Sequence, residues 1–259
     1  MAKKPEHDRR PEVMQSDKWL RVYVGGKVVA DSKKPLLLRA QGQLPVYYFP
    51  EEDVRMAHLQ PAAEEAQVAA QGEGPWPEPP QGRQLFDVEA GGRAVPGAAW
   101  RVTGAPPEHE ALEGHIAFAW AAMDAWYEED WQIRVHPHDP YHRIDVRPSS
   151  RTVRVEVESE TVAETERPVI VFETGLPPRY YIPKMDVRMD RLRLSEKTTH
   201  CAYKGTAPHY SLNEEGSGSA DNIAWYYPFP APGFEQIQNL IAFYQELVEV
   251  YVDGQRVAG

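Results

Sequence analysis

Along most of this chain apolar and polar residues alternate over short stretches, the two-residue period of half-buried strands. "RVYVGGKVV", Arg21 to Val29, alternates on both sides of Gly25-Gly26, and paired glycines supply the two positive φ angles that a type I′ hairpin turn requires. "YVDGQRV", Tyr251 to Val257, repeats the signal with Asp253-Gly254. "PVIVFET" and "RYYIP" are brief apolar and aromatic runs bounded by Pro and Gly, as buried strands are. Two stretches depart from this period: Leu112, Ile116, Ala119 and Met123, and later Ile237, Leu240, Ile241 and Tyr244, follow the spacing of an amphipathic helix.

The pattern occurs twice. Arg21 to Leu59 aligns without gaps on Arg154 to Leu192, with 16 identities in 39 positions, and "AAW" and "GHIAF" at Trp100 and Phe118 answer "IAW" and "NLIAF" at Trp225 and Phe243. The expected organisation is a polar, mobile arm over 1–17, a first unit over 18–140 and a second over 141–259. The fold class that follows is mainly β with a minor α content: two tandem units of antiparallel strands, each braced by one helix. Within the first unit, 62–82 ends in "GEGPWPEPPQG" and reads as an excursion without regular structure. In the second, 213–222 reads as a flexible loop, because its "GSGS" lacks the Lys-Ser/Thr of a phosphate loop.

Composition narrows the class. A chain of 259 residues, 42% hydrophobic and 10% aromatic, has the material for packed cores. Its net charge of −11, with no basic block beyond "MAKKPEHDRR", gives no stripe to follow a phosphate backbone, so nucleic acid is not an expected partner. A single cysteine excludes an internal disulfide and a cysteine-bound zinc, and no apolar run is long enough for a signal sequence or a membrane-spanning helix. A soluble, cytoplasmic protein without a cofactor is the expectation.

Duplication also acts as an internal control: residues kept in both units serve the shared fold, and chemistry confined to one unit is not required by it. "DVRM", at Asp53 and Asp186, occurs twice, so Asp186 and Arg188 read as a structural pair. Tyr47-Tyr48 and Tyr180-Tyr181 read as core or pocket wall. "CAYKGTAPHYS", Cys201 to Ser211, has no counterpart in the first unit. A cation beside a thiol favours the thiolate, which makes Cys201, Lys204 and His209 the catalytic candidates; the competing reading is a buried cysteine acting as a small hydrophobe. Arg179, Tyr180, Tyr203, Gly205, Tyr210 and Trp225 are the candidates for lining a small-molecule site, against the alternative that strand aromatics fill the core. "HPHDPYHRID" gathers His136, His138 and His142, candidate metal ligands, but its prolines break any helical convergence, and a joint between the units is the other reading.

Taken together, "RPVIVFETGLPPRYYIPKMDVRMD", "CAYKGTAPHYS", "NIAWYYPFPAP" and "LIAFYQELVEVYVDG" resemble the DUF427 family in a tandem form. The resemblance covers nearly all of the second unit and, more faintly, the first. It implies small β-tent-like units, in which two sheets meet at an angle, and brings no established activity or catalytic residues. Ala202 stands where the family's Cys-Pro-Tyr-Lys-Gly has proline. Two functional readings follow: a small-molecule site, enzymatic or not, around Cys201 to Gly205, or a protein-interaction module built on the first unit and its Pro-rich excursion.

Overall fold

In the computed structural model, which describes residues 11–40, 42–63, 65–213 and 221–257, the alternating segments pair into four antiparallel sheets. The chain divides into two units, Met1–Asp139 and Pro140–Gly259. The first contains β1 (Glu12–Gln15), β2 (Leu20–Val24), β3 (Lys27–Ser32), β4 (Leu36–Arg39), β5 (Val46–Phe49), β6 (Leu59–Pro61), β7 (Arg83–Ala90), β8 (Arg93–Val102), β9 (Ile116–Phe118), β10 (Ala125–Glu128) and β11 (Trp131–Ile133). They form a seven-stranded sheet in the order β1-β4-β5-β9-β8-β7-β6 and a four-stranded sheet in the order β11-β10-β2-β3.

The second unit contains β12 (Ile144–Pro148), β13 (Val153–Val157), β14 (Glu160–Thr165), β15 (Val169–Glu173), β16 (Arg179–Ile182), β17 (Leu192–Cys201), β18 (Gly205–Leu212), β19 (Ala224–Tyr226), β20 (Ile241–Phe243), β21 (Glu249–Val252) and β22 (Gln255–Val257). Its sheets run β12-β15-β16-β20-β19-β18-β17 and β14-β13-β21-β22. Each strand takes the place of its counterpart in the first unit, so the duplication extends through both sheets, far past the stretch that aligns without gaps.

The turns obey their sequences. Gly25 and Gly26 both have positive φ, 55° and 70°, and Asp253-Gly254 repeats this at 50° and 77°. Glu158 and Ser159, aligned with the glycine pair, adopt the same conformation at 51° and 67° with side chains that disfavour it.

Four expectations change. No α-helix braces either unit among the described residues: the first helical spacing resolves into a 3₁₀ turn, Pro107–Leu112, the strand β9 and a second turn, Trp120–Ala122. The second becomes the turn Glu235–Ile237 and the strand β20. All three residues of β9 and of β20 are buried, because each strand is central in its sheet and covered on both faces; a short, wholly apolar run has no period to distinguish it from a buried helix. Within the arm, residues 12–15 are the edge strand β1, paired with β4, while residues 1–10 lie outside the described residues. The excursion 62–82 has no regular structure over most of its length but is tied to its own unit, with Ala69 N donating to Gly97 O (2.9 Å) and Leu44 N to Pro75 O (2.9 Å). Trp76 in it stacks on Trp120 at 5.8 Å, and Trp120 on Trp126 at 4.4 Å. Lastly, Asp186 and Arg188 do not pair: Thr165 Oγ1 donates to Asp186 (2.7 Å), as Ser32 Oγ does to Asp53 (2.7 Å), and Arg188 turns to Asp190 (2.8 Å). Residues 214–220, with "GSGS", lie outside the described residues.

Each unit closes on its own core. In the second, one face of the large sheet sends Ile182, Tyr210, Leu212, Ala224, Ile241 and Phe243 into a cluster with Val153, Val155, Val250 and Val252 of the small sheet. The opposite face carries a separate apolar cluster of Val171, Tyr181, Ala207, Trp225, Tyr227, Ile237 and Ala242. No helix among the described residues is long and apolar enough to cross a membrane.

Candidate functional site

Register decides which side chains share the second face. Directly paired residues of antiparallel strands point to the same side, and the pairs Val169–Tyr181, Tyr181–Ala242, Ala242–Trp225 and Trp225–His209 run across five strands. Val171 pairs with Arg179 one step along, and Glu173 follows Val171 on the same face. Strand alternation therefore puts Glu173, Arg179, Tyr181, His209 and Trp225 on one surface. It sends Tyr180 and Tyr210 to the other, where both join the inner core and Tyr210 stacks on Tyr226 at 5.3 Å.

At one end of this surface β17 and β18 are joined by the turn Ala202-Tyr203-Lys204, with Cys201 paired to Gly205. Gly205 has φ +105°, a conformation that a side chain would strain, and forms a bridge with Pro230 while Ala231 N donates to Lys204 O (2.9 Å). Phe229, 84% exposed, lies beside the same backbone. The turn folds the Lys204 side chain inward, leaving the residue 8% exposed, and its ammonium pairs with the Glu173 carboxylate. The other oxygen of Glu173 meets His142 Nε2 at 2.9 Å, and the His142 ring stacks on Tyr203 at 4.5 Å. Burial alone would raise the Glu173 carboxyl; the Lys204 charge, with hydrogen bonds from Lys204 and His142, overcomes it and holds the group below its ordinary value.

Cys201 is half-buried at the margin of the apolar cluster. Its sulfur and the Glu173 carboxylate both act electrostatically on Tyr181 and Tyr227, whose phenols are raised first by burial and then by these neighbours. Thiol and carboxylate thus share these two phenols as neighbours, and the ammonium is paired to the carboxylate. Arg179 lies over Trp225 and Tyr244, 5.7 and 6.0 Å from the ring centroids, and grips both carboxylate oxygens of Glu246. His209 is fully buried, bonded through Nε2 to Thr199 Oγ1 (2.9 Å) and stacked on Tyr244 at 5.9 Å; burial and the charge of Lys197 lower it, so it is neutral near pH 7.

The candidate set is thus divided. Cys201, Tyr203, Lys204, Arg179, Trp225 and His209 share the face or its end, Gly205 shapes the turn, and Tyr180 and Tyr210 are elsewhere. Of the candidate metal ligands, His142 is engaged by Glu173, and His136 directs Nδ1 to the Pro137 carbonyl (2.7 Å). No group of three or more His, Cys, Asp or Glu placed to hold a metal occurs among the described residues. Sequence reading missed Glu173, although the gapless alignment contains the signal: Glu173 stands opposite Ala40, and Arg179 opposite Val46.

The family profile described as "Domain of unknown function (DUF427)" matches the chain twice, over residues 12–129 and 145–254. The chain belongs to the DUF427 family. A comparison with curated proteins gives no match. The two DUF427 copies coincide with the two units, and the Glu173–Lys204 pair lies inside the second match. The first DUF427 copy builds the same sheets without it.

Proposed function

We propose that the second DUF427 unit binds a small molecule at the end of the sheet face marked by Cys201, Lys204 and Glu173, with the Cys201 thiol as its reactive group. One observation carries this reading: a nearly buried Lys204–Glu173 ion pair, extended by His142, in a fold that closes without it when Ala40 takes the place of Glu173. Removing two charges from water is costly, and their attraction recovers that cost only in part, so such a pair in one copy alone indicates a role other than folding. The turn that carries Lys204 begins at Cys201, and the carboxylate that fixes the ammonium holds that turn in place. Phe229, exposed next to the turn, supplies an apolar lip for the ligand's body.

Alkylation of the folded chain with iodoacetamide tests the reactive group. The sulfur forms a bond to the methylene carbon as iodide leaves, and the thiol proton passes to water. Cys201 is expected to be modified near neutral pH without denaturant, and about tenfold more slowly in Lys204→Met. A thiol that reacts only after unfolding removes the nucleophile from the reading.

A further inference from the structure

We infer that Arg179 is the anchor for a small carboxylate ligand in the second unit, and that Glu246 is the chain's own carboxylate holding that position until a ligand replaces it. The inference rests on the proposed small-molecule site and names the class of ligand.

Three observations converge on it. Arg179 is preorganised: its side chain is 18% exposed, and its guanidinium lies over the rings of Trp225 and Tyr244. A guanidinium held by aromatic faces keeps its forked donors aimed outward, the geometry that reads a carboxylate with two parallel bonds. Its partner is replaceable: the two arginine nitrogens meet the two oxygens of Glu246, whose side chain is 44% exposed and belongs to the turn between β20 and β21. A bidentate carboxylate, rather than a single-point acceptor, is therefore the shape that the anchor already fits.

The third observation is the internal comparison. Val46 stands in the place of Arg179, and counting from the matched residues Phe118 and Phe243, Ala119 and Ala121 stand in the places of Tyr244 and Glu246. Trp100 alone matches, at Trp225. The first unit also lays chain over this ground: Ala121 N donates to Gln71 O (3.2 Å), and a Cβ on Gly72 would come within 3.3 Å of the Ala121 methyl. The connection that carries Gln71 and Gly72, between β6 and β7, is in the second unit the short turn Ala202-Tyr203-Lys204. The anchor thus occurs in the copy whose connection at this place is a three-residue turn.

Arg179 also neighbours the carboxylate of the buried ion pair. Its cross-strand partner is Val171, and Glu173 is the next residue on that face of β15, a diagonal separation of roughly 7–8 Å between backbones. The charges of Arg179 and Glu173 both act on the Tyr181 phenol, beside which they stand.

The test titrates sodium benzoate into the uniformly ¹⁵N-labelled full chain, following the Arg179 side-chain Nε–H resonance, in wild type, Glu246→Gln and Arg179→Met. Benzoate is expected to shift that resonance in wild type, and to bind about tenfold more tightly to Glu246→Gln, where the internal competitor is gone. Arg179→Met, which lacks that signal, is followed by backbone amide shifts of the Trp225 region and is expected to lose binding while retaining the wild-type amide spectrum elsewhere. Absence of binding to Glu246→Gln overturns the inference, as does unchanged affinity in Arg179→Met. Inorganic phosphate at matched ionic strength is the control, and tighter binding of phosphate than of benzoate overturns the assignment to carboxylates. Alkylation of Cys201 is read independently: a folded protein that alkylates but ignores benzoate keeps the reactive thiol and loses the anchor.

Discussion

Glu173 shows what one carboxylate can do when a sheet brings partners to it from 31 residues away on either side in sequence, His142 and Lys204. Both members of its ion pair have side chains about 10% exposed, so removing one leaves a charge without compensation. Glu173→Gln is expected to destabilise the second unit by about 3 kcal/mol in urea unfolding at pH 7. The pH dependence follows from the direction of the shift. The folded carboxyl lies below its ordinary 4.5, so its contribution is complete above about pH 4.5 and is lost as pH falls through the folded value. The stability profile of Glu173→Gln should therefore be flatter than that of wild type below pH 4.5; parallel profiles would contradict the assignment. The candidate site was partly legible at this scale. Cys201 and Lys204 stood out as chemistry present in one copy only. Glu173 did not, because a lone acidic residue in an acidic chain carries no mark until strand pairing supplies its partner. Tyr180 and Tyr210 were misplaced for the same reason: composition names an aromatic residue, and register alone decides the face it joins.

Elements with a definite period or a turn of definite chemistry were readable. The Gly25-Gly26 and Asp253-Gly254 hairpins fold as their sequences require, and the repeat located strands in both units at once. The expected helices were not there, since Ile116–Phe118 and Ile241–Phe243 are too short and too uniformly apolar for spacing to distinguish a central strand from a buried turn of helix. A further consequence concerns the turn at Glu158-Ser159. Two residues with side chains occupy positive φ where the first unit has glycines, and both are exposed. Replacing them by Asn-Gly is expected to stabilise the second unit by about 1 kcal/mol, visible as a higher thermal midpoint, because that pair suits a type I′ turn. No gain would mean that the Glu158 or Ser159 side chain makes a compensating contact.

Over the whole molecule, two copies of one topology have been finished differently. The first covers its outer face with its own segment, anchored by the indole of Trp76 on Trp120. Trp76→Ala is expected to cost about 2 kcal/mol in the first unit, less than for a fully buried ring, and to leave benzoate binding and Cys201 alkylation in the second unaltered. Coupled losses in both would contradict the independence of the two cores. The proline-rich composition of 62–82 marked an excursion without regular structure, but composition does not reveal hydrogen bonds such as Ala69 to Gly97, which fasten it.

The distribution of indoles has an optical consequence. Six of the seven tryptophans precede residue 140, and Trp120 and Trp126 are nearly parallel at 12° and 4.4 Å, close enough for exciton coupling in circular dichroism. That signal reports the first unit. Trp225 is the sole indole of the second and lies under Arg179, so after the other six are replaced by phenylalanine its fluorescence becomes a built-in gauge of whatever displaces Glu246.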